Sequence, residues 1–74
     1  MQRQVIYFNR ATARGESIPV NVIVDEYAMV FVNGLLRTEG SDYIAEVNLK
    51  MSLIIQVETG DVLQIINHQH TEAL

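Results

Sequence analysis

The sequence predicts an all-β fold, a small antiparallel β-sandwich or barrel of about six to seven short strands. Three observations predict it: turn residues recur about every 8–12 positions, β-branched and aromatic residues fill the intervals, and no segment carries a helical period. The sharpest turn is Asn33-Gly34, set between Val30-Phe31-Val32 and Leu35-Leu36. A type I′ turn needs positive φ at both central residues, which Asn and Gly tolerate best, so this pair predicts a tight hairpin.

Residues 4–9 read as the first strand, with Val5, Ile6, Tyr7 and Phe8 all β-favouring. Residues 10–17 have no apolar period and read as a loop or a reaching arm. Over 18–25, the alternation of Ile18, Val20, Val22 and Val24 predicts a strand with one buried face, and Pro19, which lacks a backbone donor, puts that strand at a sheet margin. Asp25-Glu26 is the next turn. Residues 27–32 are apolar on both faces, Ala28, Val30 and Val32 on one and Met29 and Phe31 on the other, as expected at the centre of a sandwich or of an oligomer. After Asn33-Gly34 comes a strand over 35–38, then the Glu39-Gly40-Ser41 turn. A strand over 43–48 follows, with Tyr43, Ala45 and Val47 inward. A last hairpin is expected to pair 51–57 with 62–67 around Glu58-Thr59-Gly60-Asp61. The expected layout is one domain, with a strand and arm over 1–17, a core over 18–67 and a tail over 68–74.

With 74 residues and no cysteine, neither a second core, a disulfide framework nor a thiolate metal site is expected. A core of this size rarely supplies more than roughly 3–5 kcal/mol, so association is expected, and the two-faced strand over 27–32 points to a homo-oligomer, most simply a trimer. The chain is 49% hydrophobic and only 19% charged, which leaves apolar surface for a partner. Val5, Tyr7, Phe8, Met29 and Phe31 are the interface candidates. Nine acidic against five basic residues, for a formal charge of −4, argue against nucleic acid, whose binders cluster Lys and Arg. No apolar run approaches the ~18–20 residues of a membrane span, and 1–4 do not read as a secretory signal, so synthesis in the cytoplasm without a membrane partner is expected.

Catalytic signatures are missing from the sequence. It has no Cys, no Gly-x-Ser-x-Gly elbow and no third group to orient a histidine, and Asp25-Glu26 are neighbours that would face opposite ways on a strand. Its four glycines, at 15, 34, 40 and 60, are isolated and build no phosphate loop. The expectation is a protein that is not an enzyme and carries no cofactor. Asp42-Tyr43 and Gly60-Asp61 read as architecture: Asp accepts from backbone N–H groups in a turn, Tyr43 buries its ring, and Gly60 takes a left-handed conformation. His68-Gln69-His70 is the remaining chemical motif, since residues two apart in an extended chain share a side and can face one transition-metal ion. The alternative is a solvated tail.

The order Val30-Phe31-Val32-Asn33-Gly34, Asp42-Tyr43, Gly60-Asp61 resembles a small β-domain of bacteriophage tail fibres, neck appendages and head-attached proteins, over about residues 18 to 67. In its two histidine positions only, His68-Gln69-His70 resembles the His-any-His pair with which certain phage spikes and fibres hold iron. The resemblance implies a non-enzymatic structural protein of the virion, decorating a capsid or completing a tail or fibre attachment, with capsid or tail proteins as partners. Its rival is a module binding a host receptor or glycan; a regulator binding a host protein through a strand edge is the third reading. Of the five aromatics, Tyr27, Phe31 and Tyr43 occupy expected core positions, which favours scaffold over receptor binding.

Overall fold

Alternating apolar residues organise the described residues into seven strands: β1 (Gln2–Tyr7), β2 (Glu16–Pro19), β3 (Ala28–Val32), β4 (Leu35–Arg37), β5 (Tyr43–Glu46), β6 (Lys50–Leu53) and β7 (Val62–Asn67). The structure, a computed structural model, describes residues 1–69. The strands form two antiparallel sheets, one in the order β1-β7-β3-β4 and the other β2-β6-β5. The architecture is therefore a sandwich, and the barrel alternative falls because the sheets do not close on one another. Four of the six connections pass between sheets, so the chain laces the two layers together.

The core fills the space between the layers. Val30, Val32, Leu63 and Ile65 come from the four-stranded sheet, and Ile18, Tyr43, Met51 and Leu53 from the other. Val20, Val22 and Val57 join them from the connections. Fully burying such a side chain contributes about 1.5–3 kcal/mol.

Several elements differ from the sequence expectation. The strand over 18–25 ends at Pro19, although Val20 and Val22 continue its buried alternation. Past Pro19, Val20 N still donates to Leu49 O at 2.9 Å, while side chains serve the alternate donors: Gln4 Oε1 accepts from Asn21 N at 2.7 Å and Gln2 Oε1 from Ile23 N at 3.0 Å. Pro19 does lie at a margin, since β2 is an edge strand. The expected hairpin of 51–57 with 62–67 does not form, because β6 and β7 lie in different sheets. Residues 54–61 cross between them, held by a reciprocal pair in which Thr12 N donates to Val57 O at 2.8 Å and Val57 N to Thr12 Oγ1 at 3.0 Å. The strand over 43–48 stops at Glu46, and Val47, expected inward, is 80% exposed. The chain reverses there through Asn48 and Leu49, both left-handed at φ 61° and 55°.

Nor is the segment over 10–17 a free arm. Arg10 pairs with Glu16, Ala13 N donates to the same carboxylate, and Gly15 N donates to Leu53 O, which folds the segment against the sandwich. The hydrogen bonds of Glu16, to Arg10 above all, hold its carboxyl down from 4.5 to about 2.

Asn33 and Gly34 have φ of 52° and 82°, the two positive values a type I′ hairpin needs. A Cβ built on Gly34 meets no atom within 4 Å, so a side chain there is opposed by backbone conformation alone. Gly34→Val should cost more than ~1 kcal/mol, with Gly34→Asn much milder, in urea denaturation. Thr12 is 1% exposed, and Thr12→Val keeps its shape while stranding the Val57 N–H. That substitution should cost about 1–3 kcal/mol in the same measurement.

Candidate functional site

Strand alternation divides the four-stranded sheet into an inner and an outer face. Even positions of β1 and odd positions of β7 turn inward, where Leu63, Ile65 and Asn67 are fully buried. The opposite set forms the outer face. Its central row runs Val5, Gln64, Phe31, Leu36 across all four strands. Flanking rows are Arg3, Ile66, Met29 on one side and Tyr7, Val62 on the other. Seven of these nine side chains are apolar or aromatic and Arg3 is the one charge, so the face presents an apolar surface with nothing packed on it among the described residues. Leu36 is 63% exposed, Tyr7 76% and Val5 39%, while Met29 and Phe31 are half-buried by their neighbours.

The sequence candidates Val5, Tyr7, Met29 and Phe31 are thus brought onto one surface. Phe8 is not among them: it sits one residue past Tyr7, faces inward with Ile6 and packs against the core. Leu36, Val62 and Ile66 belong to the face and went unnoticed in the sequence. The register that puts them beside Phe31 and Met29 was the missing information.

The turn residues hold the lower end of this sheet. The Asn33 side chain donates through Nδ2 to Asp61 Oδ1 at 3.0 Å and accepts from Val62 N through Oδ1 at 2.9 Å, while Asn33 N donates to Val62 O. Two motifs 28 residues apart in sequence are in direct contact. Gly60, at φ 93°, donates its N–H to Phe8 O, and Asp61 Oδ2 accepts from Glu58 N, closing the turn. Asp42 has a similar role at the sheet-to-sheet turn, where Oδ2 accepts from Thr38 N and its carbonyl accepts from Ile54 N and Ile55 N. Tyr43 is buried, and that burial, with the charge of Glu39, raises its phenol pKa.

Two features weigh on ligand chemistry. Of the three aromatics expected in the core only Tyr43 is buried there: Tyr27 is half exposed in the turn before β3, and Phe31 lies on the outer face of the sheet. Tyr7 and Tyr27 lie at opposite ends of the sheet, since Tyr7 pairs with Val62 and Ala28, next to Tyr27, with Asn67. Five residues along a strand separate those positions by about 17 Å, too far for the pair to clamp one sugar ring. His68 is exposed just after β7, whereas His70 lies outside the described residues. Among the described residues no group of three His, Cys, Asp or Glu is placed to hold a metal. A cavity of about 520 Å³ lies between the β5–β6 turn and residues 21–24, with Ile23, Val47 and Leu49 as its apolar part.

Compared with known protein families, curated proteins and solved structures, the chain matches no family model, no curated protein and no solved structure.

The Asn33 amide, followed by the Glu58 N–H, holds the Asp61 carboxyl below its ordinary range. A carboxyl depressed in the folded state contributes stability above its unfolded pKa and loses it as pH falls through the folded one. Asn33→Ala should therefore raise the Asp61 titration toward the usual carboxylate range, read by carboxyl-carbon NMR, and should remove part of the acid-dependent loss of stability. An unmoved Asp61 would mean that the Asn33 contact does not govern it.

Proposed function

We propose that this chain is a non-enzymatic structural protein that works by contact area, a virion component of a bacteriophage which decorates the capsid or completes a tail or fibre attachment. The observation that carries the contact part of this reading is the uncovered apolar outer face of the four-stranded sheet, from Val5 and Tyr7 across Phe31 to Leu36. Monomeric proteins rarely leave contiguous apolar patches of more than a few hundred Å² open to water, so such a face is the natural seat of a partner. The place on a particle is supported by the ordered Val30–Gly34, Asp42-Tyr43 and Gly60-Asp61 turns and by their likeness to phage appendage domains.

Stable attachment buries more than about 1,000 Å² in total, which a small protein reaches through repeated contacts with neighbours of its own kind and with a capsid or tail protein. A self-associated ring, most simply a trimer, uses the outer face for both. The glycan-binding alternative is less well served, because the exposed tyrosines lie at opposite ends of the sheet.

Mass spectrometry of purified particles should find the protein in many copies, and light scattering at micromolar concentration should find an oligomer. Leu36→Glu combined with Val5→Lys puts charge on the exposed part of the face and should change folding stability by less than about 1 kcal/mol. The double variant should be monomeric and absent from particles. Protein found free in infected cells and never on particles would replace this reading with that of a host-directed binder.

A further inference from the structure

Strand order gives the sandwich edges at β1 and β4 in one sheet and at β2 and β5 in the other. An open edge offers unpaired N–H and C=O groups to any other strand, and native proteins blunt such edges. All but one are blunted here. In β2, Val20 N donates to Leu49 O, which turns Pro19, with no donor, to the open side. β5 is capped by the Glu39 carboxylate on Ala45 N and by Gly40 N on Tyr43 O. β4 is three residues long.

β1 has no such device. It runs six residues, with neither proline nor glycine and an unbroken register against β7. Phe8 N donates to Asp61 O and Asn33 N to Val62 O, which fixes the phase of both ladders. The even positions of β1 therefore turn their main chain to β7, and Arg3, Val5 and Tyr7 turn theirs away. Among the described residues nothing meets those three main chains, and all three residues are exposed.

The side chains on this edge select its occupant. In an antiparallel pair about a two-fold axis at Val5, Val5 faces its own copy and Arg3 faces Tyr7 of the other. These are the residues with open main chain, so each donates and accepts across the axis. The valines pack side by side, the guanidinium lies beside the phenol ring in a cation–π contact, and no like charges oppose one another. Sliding one copy to the next bonded register sets Arg3 opposite Val5 or beyond the end of β1, and a bonded pair is lost. The edge is thus complementary to itself, as a two-fold contact requires.

We propose that two copies of this chain join through the open edge of β1, antiparallel about a two-fold axis at Val5, so that their four-stranded sheets run on as one. Arg3, Val5 and Tyr7 also stand on the outer face, so this inference rests on the self-association in the reading above and names its first contact. The two outer faces become one apolar surface on the same side of the joined sheet. A threefold contact over that surface, added to the pair, makes a hexamer.

The test is the mass of the full chain by sedimentation at micromolar concentration, with amide exchange followed by NMR on the same samples. The parent should hold an even number of copies, and the Arg3, Val5 and Tyr7 amides, which nothing covers in a lone chain, should be protected. Val5→Pro removes the central donor on the open side, spares the bonds to β7 and should halve the mass. Leu36→Glu, on the far margin of the sheet, should leave the pair intact. Val5→Cys puts one thiol on a chain without cysteine, and two such residues, about 5.5 Å apart at Cα across the axis, should cross-link on mild oxidation. Tyr7→Cys, which faces Arg3, should not. The cysteine variants carry the test if Val5→Pro melts early. A monomeric parent, a Val5→Pro variant of unchanged mass, or Tyr7→Cys cross-linking as fast as Val5→Cys overturns the proposal. A trimer with freely exchanging β1 amides removes the pair and leaves the outer-face reading standing, whereas a protein absent from particles that still pairs through Val5 does the reverse.

Discussion

The arrangement of this sandwich depends on how the two ends of β7 are fixed. At its start the Asn33 amide accepts from Val62 N and donates to Asp61, and at its end the fully buried Asn67 amide donates to Ile23 O at 2.8 Å and to Asp25 Oδ1 at 2.9 Å. β7 is also the interior strand that pairs with both β1 and β3. The two asparagines tie that strand to the β3–β4 hairpin at one end and to the crossover before β3 at the other. A slip of one residue would turn Leu63 and Ile65 to the outside and break both sets of bonds, so burial and polar contacts specify the same register. Because each amide both donates and accepts, a substitution that keeps only one function would leave part of the junction unmet.

Side chains also do the work of a ladder elsewhere. Successive inward positions of a strand are about 6.8 Å apart, which is also the spacing of alternate backbone N–H groups in an extended chain, so Gln2 and Gln4 can serve Ile23 and Asn21 as a strand would. This lets the crossover run along the margin of the sheet without leaving its donors orphaned. The Glu39 carboxylate does the same for Ala45 on the free side of β5. In a chain without disulfides, covering edges in this way limits strand-to-strand aggregation. The outer face of the four-stranded sheet has no comparable cover among the described residues.

The sequence was legible where local geometry has a single chemical solution. Asn33-Gly34 announces its turn because few other pairs accept two positive φ values. The burial of Ile18, Val20 and Val22 was legible from alternation, but the extent of β2 was not, since alternation reports which side faces the core and is silent about what completes the backbone hydrogen bonds. Gly60-Asp61 marks a turn equally well whether the next strand pairs with the one before it or crosses to the other sheet. The bond from Asn33 to Asp61 decides that question, and it joins residues far apart in the chain. At 47–49 the signal was weak: Asn48 favours a left-handed turn, Leu49 does not, and the apolar character of Val47 pointed inward although it lies on the turn.

The candidate site divides in the same manner. Val5, Tyr7, Met29 and Phe31 could be named from β-favouring composition, but which of them share a surface depends on register, and so does the exclusion of Phe8. Arg37 had no signal at all, because a single Arg in a short strand reads as an ordinary solvated charge. Its place emerges only from the register, which sets Arg37 opposite Val30 at the last pair of β4 with its Nε buried. The outer face is a property of strand order. Composition can therefore name the apolar residues of β1, β3, β4 and β7, but only the pairing register decides which of them share one outer face and which turn to the core.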